Sequence, residues 1–142
     1  MQVDSTRFGT FDVDPSRMLQ FQTSLLGFPD SLRYVMVEVE DSPYFWLQST
    51  DEADIAFLAT TPFGFFPDYD LELSEAEQTA LAIEDPTQVE VITLLTVHRA
   101  GDEPQLITAN LLGPIVVNVE TRQARQIVLA NDDYSTREPL GA

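Results

Sequence analysis

Val89-Glu90-Val91-Ile92-Thr93-Leu94-Leu95-Thr96-Val97-His98 is the stretch whose reading decides the fold. Successive side chains of an extended strand point to opposite faces. One face here carries Val89, Val91, Thr93, Leu95 and Val97. The other carries Glu90, Ile92, Leu94, Thr96 and His98. Ile92 and Leu94 make this second face apolar too. A half-exposed strand alternates apolar with polar residues, so a strand apolar on both faces is expected to be central.

The flanking sequence has the same period of two. Leu32, Tyr34 and Met36 share one strand face, with Val35, Val37 and Val39 on the other. Asp41-Ser42-Pro43 reads as a turn, and the aromatic-rich Tyr44 to Ser49 as the next strand. Ala56 to Thr60 is a further short strand that stops before Pro62. Ile115 to Val119 and Gln126 to Ala130 are expected to form a hairpin around Thr121-Arg122-Gln123-Ala124. Gly9 is expected to bend or bulge an early strand pair around Phe8 and Phe11.

The pattern predicts one helix, over 74–84. Ser74-Glu75-Ala76-Glu77 is a capping box: the serine caps the first turn and Glu77 reaches back. Ala76, Ala80 and Ile83 are expected to pack inward, and Asp85-Pro86 to end the helix. Many short strands with one short helix predict a mainly β protein, a small antiparallel β-barrel-like domain over residues 1–142. Residues 132–142 read as a flexible tail.

Composition narrows the function. The 142 residues hold 24 acids and 7 bases, for a net charge of −17, with no cysteine and one histidine. All the bases are arginine. Without cysteine, disulfides, cysteine-held zinc and thiol nucleophiles are excluded; without lysine, so is lysine-based covalent chemistry. A polyanion is a poor ligand for nucleic acid or an anionic membrane, and a basic protein suits it better. No apolar run is long enough for a spanning helix, and the first twenty residues do not read as a signal peptide. A cytoplasmic protein is expected. The charge is also uneven, since no base stands between Arg33 and Arg99, a stretch that holds 14 of the 24 acids.

Few residues offer chemistry. His98 stands without a nucleophile-elbow sequence, and no phosphate loop or dinucleotide fingerprint is present. No cofactor or resident metal is expected. Asp68, Asp70 and Glu72 alternate, so a strand would set all three on one face. Such a face can hold calcium, supply an acid and a base, or simply be solvated. Phe63-Gly64-Phe65-Phe66-Pro67-Asp68-Tyr69 is unusually aromatic. It either folds back into the core or offers anchors to a partner. Asn110 and Asn118 stand among apolar residues and must be hydrogen-bonded if buried, which suits amides that fasten a loop or a bulge beside Pro114.

Read in order, several segments resemble the bacterial flagellar assembly factor FliW family. They are Phe21 with Leu25, Gly27 and Phe28, then Trp46-Leu47-Gln48-Ser49, Ala56-Phe57 and Phe66-Pro67-Asp68-Tyr69. Thr108-Ala109-Asn110-Leu111, Pro114-Ile115 and Asn118 follow, then Gln126-Ile127-Val128-Leu129, Tyr134 and Arg137-Glu138-Pro139-Leu140. Ser24 and Glu138 depart from residues usual in the family, and so does the region of Ala124.

The resemblance implies a non-enzymatic regulator with a compact β-barrel-like fold. Family members bind and chaperone flagellin, and they antagonise the RNA-binding translational repressor CsrA by protein–protein contact. Phe65, Phe66, Asp68, Tyr69, Asp70, Glu72, Asn110 and Asn118 are the candidate partner-binding residues. The alternative reading is a carboxylate-dependent hydrolase or calcium-binding β-barrel.

Overall fold

A computed structural model gives the fold and describes residues 1–25, 28–98, 106–130 and 133–140. Gly27, Arg99, Asp132, Gly141 and Ala142 lie outside the described residues. In chain order the strands are β1 (Gln2–Ser5), β2 (Gly9–Asp12), β3 (Leu19–Phe21), β4 (Arg33–Glu38), β5 (Tyr44–Ser49), β6 (Ala56–Thr60), β7 (Val89–His98), β8 (Leu106–Ala109), β9 (Ile115–Asn118), β10 (Gln123–Gln126) and β11 (Glu138–Pro139). The helix α1 is Glu75–Ala80.

The run β3 to β7 is antiparallel, β7 pairs with β9, β9 with β10, and β10 returns to β3. These pairings close a 7-stranded barrel. The closing contact is parallel, with Gln123 opposite Gln20 and Ala124 opposite Phe21. β1 and β2 form a separate ribbon. Gly9 begins its return strand at φ +74, a left-handed conformation suited to glycine. Arg7 lies 4.2 Å above the Trp46 ring and ties the ribbon's turn to β5.

β7 is central, as its two apolar faces require. Ile92 joins a core inside the barrel with Leu19, Phe21, Tyr34, Leu47 and Ile115. Val91 and Leu95 face outward into a second core with Tyr69, Ala109 and Leu111. The barrel interior also holds the Tyr34 hydroxyl, whose pKa burial pushes up to about 12.

The return path along β7 contains an insertion. Leu95 lies opposite Ala109 and Ile92 opposite Ile115, so the step between them is longer on the return strand. The extra residues form a loop that Asn110 fastens. Its Oδ1 accepts from Gly113 N–H at 2.8 Å, and its backbone carbonyl accepts from Thr93 Oγ1 at 2.8 Å. A Cβ on Gly113 would sit 3.1 Å from Asn110 Nδ2, so the glycine lets this amide approach.

Several expectations need correction. α1 ends at Ala80, well before Asp85-Pro86, because Ala82 turns left-handed at φ 53. Ala76 and Ala80 are exposed, and the deeply buried side chain is Leu81, the C-cap. The last hairpin keeps β9, but β10 is Gln123–Gln126, where the sequence reading placed the strand at 126–130. Asn118 Oδ1 accepts from the N–H groups of Glu120 and Thr121, closing the turn early. Part of the presumed tail is docked. β11 pairs with β8, Leu140 N–H donates to Ile107, and Tyr134 joins the second core.

Candidate functional site

The surface of interest is built by the chain between β6 and β7. Pro62 opens a single 3₁₀ turn, and the N–H groups of Phe65 and Phe66 donate to its carbonyl. The aromatic run is thereby divided. Phe65 stacks on Tyr44 at 6.1 Å, and Phe66 packs against the second core. Tyr69 is 5% exposed and donates its hydroxyl to Leu111 O at 2.7 Å. Burial pushes the Tyr69 pKa well up, with a smaller push from Tyr134, so it stays a neutral donor. Phe63 remains 47% exposed.

Asp68, Asp70 and Glu72 alternate with Tyr69, Leu71 and Leu73 as a strand would, and all three acids are exposed. No ladder forms over these residues. Instead, side chains hold the segment: Asp70 N–H donates to Tyr134 Oη at 2.9 Å. The three carboxylates do not gather. Among the described residues no group of three His, Asp or Glu side chains is placed to hold a metal ion.

Beyond this segment, Ser74 and Glu77 form the anticipated capping box of α1. Asp85 and Gln88 form a second box at a short 3₁₀ turn before β7. Hydrogen bonds from the Thr87 N–H and hydroxyl hold the Asp85 carboxyl below its ordinary value. A groove of about 420 Å³ lies between the segment and this connection, on the outer side of β7. Phe63, Leu71, Ile83 and Val89 supply apolar lining, and among the described residues Asp70, Glu84 and Asp85 supply the charges.

A different opening, of about 500 Å³, lies beside Leu25, Phe57 and Leu94 of the barrel interior, and none of its described lining residues is charged. Asn110 and Gln126 line it, and Val128 beside them is 81% exposed.

A sequence model described as the FliW protein matches residues 2–140. The chain belongs to the FliW family. The flagellar assembly factor FliW of Magnetococcus marinus is 40% identical over 141 residues, covering 99% of this chain and 85% of that protein. That of Desulfitobacterium hafniense is 41% identical over 143 residues, covering 99% and 91%. A crystal structure of the flagellar assembly factor FliW matches with a TM-score of 0.88 at 28% identity, covering 100% of this chain and 98% of that one.

Within this FliW-family chain the expected contact residues fall into three places. Phe65, Phe66, Asp68, Tyr69, Asp70 and Glu72 lie on one segment, where Tyr69 is buried and the acids are exposed. Asn110 lies at the opening beside Phe57. Asn118 is fully buried, and its Nδ2 donates to the carbonyls of Leu81 and Ala82. Tyr69 and Asn118 therefore hold the site and do not present a surface. Sequence reading missed Phe63, Ile83 and Glu84 as neighbours in one groove. The proline before Phe63 signals a turn, but nothing local says which ring that turn leaves outside.

Proposed function

We propose that this chain is a non-enzymatic, cytoplasmic regulator of flagellar assembly that binds flagellin as a chaperone and antagonises CsrA by protein–protein contact. Family membership over nearly the whole chain is the observation that carries this reading. The charge fits it: an RNA-binding repressor must carry positive charge, and an acidic antagonist is steered toward it. Negative charge set beside an RNA site also repels RNA without filling that site. Asp68, Asp70 and Glu72 are the acids proposed for this role, and all three are exposed to solvent.

Co-purification with the cognate flagellin and CsrA, each then added as competitor, tests the reading. Binding of both, with one displacing the other, is expected; binding of neither overturns it. Neutralising Asp68, Asp70 and Glu72 together is expected to weaken the CsrA complex and flatten its salt dependence. Unchanged affinity and salt dependence would remove this patch from the interface.

A further inference from the structure

We infer that the groove beside α1 is the docking site for a short cationic amphipathic segment of a partner protein. Apolar side chains of that segment rest on Phe63, Ile83 and Val89, and its lysine or arginine side chains stand beside Asp70 and Glu84. The inference rests on the reading of this chain as a protein-binding regulator and adds the place and the chemistry of the contact.

Four observations converge on it. The groove is apolar along its lining, yet every charge among its described lining residues is negative. Among the described residues the carboxylates of Asp70 and Glu84 accept no hydrogen bond and join no ion pair. The ion pair of Arg33 with Asp51, at 2.6 Å, involves no residue of this groove. A cation that arrives beside unpaired carboxylates on an apolar surface meets charge complementarity.

The walls are also set in advance. Two capping boxes, the Asn118 amide bonds to Leu81 and Ala82, and the Gln78 amide bond to the Leu73 carbonyl fix the flanking turns. A preformed groove spends little conformational entropy on binding. The same charge disfavours other occupants. A second copy of this chain brings another −17, and nucleic acid or an anionic membrane brings more negative charge still. Among the described residues that line the opening beside Phe57, none carries a charge that would select a cation.

The test uses full-length protein and three synthetic twelve-residue peptides, followed by fluorescence anisotropy at two salt concentrations. One peptide combines leucine with lysine, one serine with lysine, and one leucine with glutamate. Only the leucine–lysine peptide is expected to bind tightly. The pair D70N/E84Q should weaken it by about tenfold and reduce its salt dependence. The pair E38Q/E40Q removes equal charge from another region and should change affinity by less than about twofold. Phe63→Ser should weaken binding but leave the salt dependence unchanged. All three variants alter exposed side chains, and melting curves verify that they fold. Equal losses from the two neutralised pairs, or no loss from D70N/E84Q, overturn the inference. So does serine–lysine binding as tight as leucine–lysine. The same variants in co-purification separate the two claims. If flagellin and CsrA bind wild type and D70N/E84Q alike, the groove fails and the regulator stands. If neither binds wild type, the regulator fails.

Discussion

The barrel and the layer outside it are held together differently. The barrel closes through backbone ladders all the way round, and its interior packs Leu19, Phe21, Tyr34, Ile92 and Ile115 at 1% exposure or less. Chain 62–88 is attached instead at separate points, and residues 133–140 by one short ladder, β11 on β8, with single bonds beside it. Tyr69 bonds Leu111, Asn118 bonds the end of α1, and Ser135 accepts from Leu111 and Leu112. A closed barrel shares its load over many equivalent bonds, whereas a pinned layer opens where one pin is lost. The candidate groove lies in the pinned layer, on a wall that the barrel keeps rigid.

Ile92→Ala should produce the largest effect. It empties space in the barrel interior and should cost about 2–5 kcal/mol, read as a lower urea midpoint. The comparison is broken if the outer layer alone melts. Asn118→Ala comes next. It strips four backbone partners from a fully buried amide. A loss of about 1–3 kcal/mol is expected, with amide exchange quickening at Glu120 and Thr121 before the barrel strands. Tyr69→Phe removes the bond to Leu111 and should cost about 0.5–1.5 kcal/mol, with loosening confined to 62–73 in hydrogen exchange. Uniform loosening of the barrel would erase the distinction.

The smallest effect is a pH dependence at Asp51, on the loop after β5. Burial would raise its carboxyl, but bonds from the Arg33 guanidinium and the N–H groups of Leu32 and Arg33 bring it below 3.8. A carboxyl depressed in the folded state contributes stability above its unfolded pKa and loses it as pH falls through the folded value. Wild type should therefore lose this contribution below about pH 4, and Asp51→Asn should flatten that part of the stability–pH curve. Parallel curves for the two proteins would deny Asp51 this role.

Local patterns were the legible part of the sequence. Tyr44 to Ser49 and Ala56 to Thr60 are strands with the expected limits, since each is a short β-prone run between turn residues. The Ser74 box and the Asn110 side-chain bond to Gly113 need partners only three residues away. Errors arose where a distant group decides. The period of Asp68 to Glu72 is a strand's, but among the described residues no strand pairs with it. The helix stops early where the Asn118 amide meets Leu81 and Ala82 from across the fold.

The sequence by itself determined the alternation of β7, the helix cap, the absence of thiol and lysine chemistry, and the concentration of acid between Arg33 and Arg99. Each depends on residue type and spacing along one stretch of chain. Only the tertiary structure decided which face of β7 meets which core, that β10 closes the barrel on β3, and which carboxylates ring the groove. Strand ladders and grooves join groups far apart in the chain. Spacing along a strand leaves those partners unspecified until the barrel closes.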